Sequence, residues 1–127
     1  MYTWLIIGIG GFIGAVLRYG VGGWIQGTTT TFPVGTLGVN TLGSFFLALI
    51  MYLSEYSGFF SDQTRIFLTI GVIGAFTTMS TFSYESFRMV EEGQYILFTA
   101  NIILTIFLTI PAVIIGKISA GYLAGCL

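Results

Sequence analysis

Histidine is absent from the chain, and cysteine occurs once, at Cys126. Without paired cysteines there is no disulfide framework. Without histidine the familiar zinc sites and the Ser-His and Cys-His nucleophile systems lack their central group, so an enzyme is not expected. Cys126 reads as inert. Charge is as scarce, with four Lys or Arg, five Asp or Glu and a net charge of −1 over 127 residues. Nucleic-acid binding needs many phosphate-neutralising cations, so that class falls away too. A soluble domain carries roughly 25% charged residues to keep its surface in water. Here the charged share is 7%, against 55% hydrophobic residues and a mean hydropathy of +0.95. Most of the outer surface must therefore face something other than water, and the chain reads as an integral membrane protein.

A helix needs about 20 mostly apolar residues to cross the hydrocarbon core of a bilayer. Runs of that length occupy 2–25, 33–53, 66–90 and 95–118. Arg18 interrupts the first, the second has no charge, Glu85 and Arg88 fall late in the third, and Pro111 lies in the fourth. The stretches between them are too short for a soluble domain, so residues 1–127 read as a single all-α membrane domain of four transmembrane helices. The N-terminal run has no basic segment before it and no globular domain after it, which favours a first helix over a secretory signal.

Orientation follows the excess of Lys and Arg on cytoplasmic loops. With four spans, Arg65 and Lys117 fall on the side of the chain termini, and Arg88 and Arg18 on the other. A sample this small carries little information on the bland reading. On the sharper one, the chain inserts in both orientations and assembles as an antiparallel dimer. Four helices also make a thin wall for any pathway, which favours an oligomer.

Small residues four apart let helices approach closely in lipid, and Gly10 with Gly14, Gly71 with Ala75 and Gly121 with Gly125 have this spacing. They read as packing. Asn40 is different, because an amide in the middle of an apolar span is costly unless paired. It is either glue between helices or a donor lining a polar pathway. In the third span, Thr77, Thr78, Ser80, Thr81 and Ser83 fall together after Gly71 and Gly74. One hydroxyl can bond back to its own helix, but a cluster of five after two glycines suggests a break in the helix. Irregular backbone at membrane depth is tolerated where protein or a polar cavity receives it, and its freed carbonyls suit a hard cation. On the fourth span, Asn101, Thr105 and Thr109 recur every four residues and share one face. With Ser80 and Thr81 they could form a track of neutral donors. Met79 and Phe82, three apart, could project from a single face. Hydroxyls, amides and positively polarised ring edges replace water around a small anion without trapping it; these residues do not say which anion.

Three ordered stretches carry a family likeness: Gly10 to Tyr19 (GGFIGAVLRY), Gly35 to Asn40 (GTLGVN), and Gly74 to Phe82 with Glu85. They resemble the signature segments of the Fluc (CrcB) fluoride channels. The resemblance implies an antiparallel, dual-topology homodimer with two fluoride pores, which exports fluoride passively across the cell membrane and relieves its toxicity. It also implies a structural sodium ion (Na+) at the centre of the dimer, held by backbone carbonyls at a break in the middle of the third helix. Gly74 and Thr77 match the sodium-coordinating positions. Asn40 matches the pore asparagine, Arg18 the basic residue near the aqueous vestibule, Ser80 and Thr81 the hydroxyl track, and Thr109 a hydroxyl of the fourth helix. Phe82 matches the second of the family's paired phenylalanines, while Met79 stands where the first ring would be. Met is flexible, polarizable and without a ring edge, so conduction is expected to persist at an altered rate. The alternatives are a proton-coupled transporter of the small multidrug type and a structural membrane subunit. The first resembles proteins built on a glutamate in the first span, whereas no carboxylate lies between Met1 and Ser54 here, and Glu85 is the only titratable candidate for a proton-coupled path.

Overall fold

The computed structural model describes residues 2–29 and 31–125, so Cys126 lies outside the described residues. What is described is helix and short turns, with no strand. Helices α1 (Thr3–Gln26) and α2 (Val34–Ser57) have 24 residues each. At 1.5 Å per residue each is about 36 Å long, enough to cross a hydrocarbon core of about 30 Å. The third span, Asp62–Glu91, is composite: α3 (Asp62–Ile66), a stretch of wide π-type turns (Phe67–Ile73), α4 (Gly74–Phe76) and α5 (Met79–Glu91). Helix α6 (Tyr95–Leu123) closes the bundle with 29 residues and runs unbroken through Pro111. The second and fourth helices thus run past residues 53 and 118, and the third begins before residue 66.

Four helices are long and apolar enough to cross a membrane. The outward side chains agree: Trp4, Tyr19, Trp24, Ile96 and Phe107 are all exposed, as befits a surface solvated by lipid. Trp4 stands at one end of α1 and Trp24 at the other, where aromatic rings settle at membrane interfaces.

With lipid outside, helices associate by close packing rather than by hydrophobic collapse. Many of the buried residues are accordingly glycines and alanines, beside larger ones such as Ile73, Phe76 and Met89. Ala48 of α2 faces Gly116 of α6, where an added Cβ would lie 3.0 Å from that of Ala48, and Ala112 and Ala120 are buried one turn to either side along the most extensive seam of the fold. Gly10 and Gly14 of α1 lie against the π-type stretch, and a Cβ on Gly14 would sit 2.1 Å from the Val72 carbonyl oxygen. Only glycine lets the two backbones meet there. The widened winding lies at this contact, where the Gly74 N–H donates to the Thr69 carbonyl, five residues back. Stretches of this kind are rare and concentrate at functional sites.

Ser61 starts α3 by accepting from the Thr64 N–H at 3.2 Å, which satisfies one of the four donors that a helix start leaves open. The break lies at mid-span. Thr77 (ψ 159°) and Thr78 (φ −152°, ψ 116°) are extended, and helical winding resumes at Met79.

Candidate functional site

A helix leaves its last four carbonyls and first four N–H groups without internal partners, and a break inside a membrane creates both sets at once. The Ile73 carbonyl accepts from the Thr77 N–H at 3.0 Å and from the Thr77 hydroxyl at 3.1 Å. The Thr78 hydroxyl accepts from the Thr81 N–H at 3.1 Å, which caps α5, and donates to the Thr81 hydroxyl at 2.9 Å. The Thr78 peptide groups are served from another helix. Asn40 of α2 donates through Nδ2 to the Thr78 carbonyl at 3.0 Å and accepts through Oδ1 from the Thr78 N–H at 2.8 Å. One side chain thus satisfies both faces of an extended residue, and its second amide N–H is left over. Gly43, close by on α2, makes room for the break, since a Cβ there would fall 2.1 Å from Cγ2 of Thr77.

Two grooves meet at this clamp, and Thr78 lines both. The central groove, about 330 Å³, is lined by Asn40, Ser44, Gly74, Thr77, Met79, Thr105 and Thr109 among others, and no charged side chain reaches it. The Thr109 hydroxyl donates to the Thr105 carbonyl at 2.6 Å. The Thr105 hydroxyl is buried and has no partner among the described residues, which is unusual for a buried polar atom. The second groove, about 440 Å³, holds Arg18, Thr36, Thr81 and Glu85. Thr36 donates to Oε1 of Glu85 at 2.9 Å, while Oε2 is buried without a partner among the described residues. Among the described residues Arg18 has no carboxylate within ion-pair distance. Arg65 and Arg88 do, from Asp62 at 3.1 Å and from Glu92 at 2.7 Å.

Asn40, Gly74, Thr77, Met79 and Thr109 therefore share the central groove, and Arg18 and Thr81 the other. Ser80 is exposed, its hydroxyl 3.3 Å from that of Thr78. Phe82 is half-buried and lines neither groove. The single track expected from Ser80 and Thr81 with Asn101, Thr105 and Thr109 is divided. Asn101 is 1% exposed and donates to the Ser86 hydroxyl at 3.0 Å, fastening α6 to α5 outside the central groove. Thr36 and Ser44 were not singled out by the sequence, although Thr36, Asn40 and Ser44 recur every four residues along one face of α2.

For a resident cation only neutral oxygens are at hand, since among the described residues no group of three or more His, Cys, Asp or Glu forms. Gly74 is exposed, and a Cβ there would meet only the Thr69 carbonyl, at 3.5 Å. Neutral backbone carbonyls of this kind suit a hard monovalent ion by their chemistry.

A family model described as CrcB-like protein, Camphor Resistance (CrcB), matches residues 5–117. Among curated proteins, the fluoride-specific ion channel FluC 1 of Methanosarcina acetivorans is 62% identical over 127 residues, covering 100% of this chain and 97% of that protein. FluC 3 of Methanosarcina barkeri is 62% identical over 117 residues, covering 92% and 89% respectively. The more distant FluC of Geotalea daltonii is 39% identical over 124 residues, covering 97% and 100%.

Proposed function

The chain belongs to the CrcB family, and from that premise we infer that it is a fluoride-selective, passive channel of the cell membrane, crossing it several times and lowering cytoplasmic fluoride by letting the ion leave. The observation that carries this reading is the central groove: amide and hydroxyl groups converge on a helix break at membrane depth with no charged side chain among them. Small, strongly hydrated fluoride needs several donors to replace its water. A fixed cation in that space would hold it, whereas neutral donors let it go. The family leaves the proton-coupled transporter and the structural subunit without support.

Within this function, Arg18 gathers the anion at the mouth of its groove: among the described residues no carboxylate pairs with it, and Glu85 on the same groove is engaged by Thr36 instead. Thr81 and Ser80 pass it toward Thr78, and Phe82 presents a ring edge beside them. The spare N–H of Asn40 and the hydroxyls of Thr105 and Thr109 receive it in the central groove. Met79 borders that groove with a thioether, and conduction persists at a changed rate. Gly74 and Thr77 carbonyls would hold a structural sodium ion, whose charge would draw the two broken helices of a homodimer together. The exposure of Gly74 at the edge of the central groove supports a site completed by a second copy. An antiparallel pair accounts for the charge pattern, because each end of the bundle carries one cation paired with carboxylates (Arg65, Arg88) and one that is not (Lys117, Arg18). Lys117 instead lies over the Tyr52 ring, 5.1 Å from its centroid.

The test is fluoride efflux from liposomes holding the purified protein, started by valinomycin with a potassium gradient and compared with chloride. Voltage-driven flux of fluoride with little chloride is expected, and proton-dependent flux or none overturns the reading. Labelling single introduced cysteines in intact cells tests the assembly. Each site should react from both sides, and strict one-sidedness excludes dual insertion.

A further inference from the structure

The last residue of α1, Gln26, makes three hydrogen bonds across the turn that follows. Its Oε1 accepts from the Gly35 N–H at 2.8 Å, and its Nε2 donates to the Phe32 carbonyl at 3.0 Å and to the Thr29 carbonyl. Helix α2 has no side-chain cap from Pro33, the residue preceding it. Gly35 lies in its first turn, where N–H groups have no helical acceptor. The missing cap is supplied by the preceding helix. The fit is close, because a Cβ on Gly35 would lie 2.5 Å from the Gly22 carbonyl oxygen.

Gln26 also lines two spaces. One is the groove of Arg18, Thr36 and Thr81; the other is a separate cleft of about 360 Å³ holding Arg88 and Glu92. In that cleft Glu92 is engaged by Arg88 at 2.7 Å and by the Gln94 amide at 3.2 Å. The Gln26 side chain is thus part of the wall between a free arginine and an ionic cluster. Thr36 follows Gly35 directly, so the bond that fixes Gly35 also fixes Thr36, whose hydroxyl donates to Oε1 of Glu85 at 2.9 Å in the groove that Arg18 lines.

We propose that Gln26 is a positioning residue for fluoride entry: its carboxamide pins the end of α1 to the start of α2, and so holds Arg18 and Thr36 on facing walls of the entrance groove and keeps that groove apart from the Arg88–Glu92 cleft. The proposal rests on reading the Arg18 groove as the entrance. Gln26 itself touches no ion. Its loss changes how readily the entrance fills, more than how fast the channel runs once filled.

The experiment measures liposome fluoride flux against fluoride concentration, together with backbone hydrogen exchange. Gln26→Leu keeps the bulk and removes all three bonds. Exchange at Gly35 is expected to accelerate, and the half-saturating fluoride concentration to rise about five-fold, the scale of a lost helix cap, with a smaller drop in maximal flux. Gln26→Glu keeps the acceptor for Gly35 but sets an oxygen against the Phe32 carbonyl. Gly35 should stay protected, and the half-saturating concentration should rise less than with Leu. Faster exchange with an unmoved half-saturating concentration, or unchanged exchange, overturns the proposal. Where Gln26→Leu fails to assemble, Gln26→Glu and the wild-type protein decide, and a Gly35 amide exchanging like a free peptide in wild type also overturns it. Arg18→Gln separates the premise from the proposal. If that change leaves the half-saturating concentration where it was, the entrance reading falls whatever Gln26 does.

Discussion

The two grooves that meet at Thr78 are built from opposite materials. The groove proposed as the entrance holds, among the described residues, an arginine without a carboxylate partner and a glutamate with one oxygen unsatisfied, while the central groove has an amide, hydroxyls and a thioether. Charge acts over about a Debye length of 8–10 Å in salt water and so suits collection. Short hydrogen bonds act only on contact and suit discrimination. On the function proposed above, these tasks fall on opposite sides of Thr78, and the side chain that clamps that residue is Asn40.

The strongest way to break that division is Asn40→Leu. It leaves the Thr78 N–H and carbonyl unpaired at membrane depth, at a cost of roughly 2–6 kcal/mol. Fluoride flux should vanish and thermal stability in detergent should fall together; flux lost without any fall in stability would make Asn40 a pore donor alone. Phe82→Ile asks whether a ring outside both grooves belongs to the path. Losing a ring-edge contact of about 0.5–1.5 kcal/mol predicts a roughly three- to tenfold slower flux with unchanged size-exclusion behaviour, and wild-type flux would remove Phe82 from the pathway. Thr105→Val sharpens the central side. Its hydroxyl has no partner among the described residues, so the change should leave stability equal or slightly higher while slowing flux about two- to fivefold, as the loss of one weak hydrogen bond would. A stability loss would reveal a protein partner instead. The smallest effect belongs to the entrance. Arg18→Gln should lower flux about twofold at low ionic strength, and the difference should shrink toward none near 1 M salt, where charges are screened within about 3 Å. A salt-independent deficit would mean that Arg18 acts by contact.

Much of this was legible in the sequence, because the bilayer constrains it so strongly. Four apolar runs separated by few charges leave little choice of architecture, and Gly71, Gly74 and the hydroxyl cluster announced irregular backbone between them. What was not legible depends on partners far away along the chain. Nothing near Asn40 says that its amide pairs with Thr78, and nothing in the even spacing of Asn101, Thr105 and Thr109 says that the first turns to Ser86 on α5 while the other two line a groove. Equal spacing fixes a face of a helix, and only the neighbouring helix decides what that face does. The four-residue recurrence of Thr36, Asn40 and Ser44 was available in the sequence by the same reasoning. The hydroxyls from Thr77 to Ser83 looked like one group because they are adjacent in sequence, but two extended residues among them send their side chains to different sides.

The wide winding between Phe67 and Ile73 has a consequence for how this segment tolerates change in length. π-type turns accommodate an extra residue within an otherwise α-helical path, so the stretch works as a store of slack upstream of the break. Deleting one residue there should let the chain tighten to ordinary helical winding while Thr77 and Thr78 stay opposite Asn40. A deletion in α5, which has no such reserve, would rotate every later side chain by about 100°. The same small lesion would thus be absorbed on one side of the break and disruptive on the other, so length variation among natural sequences should gather before Gly74.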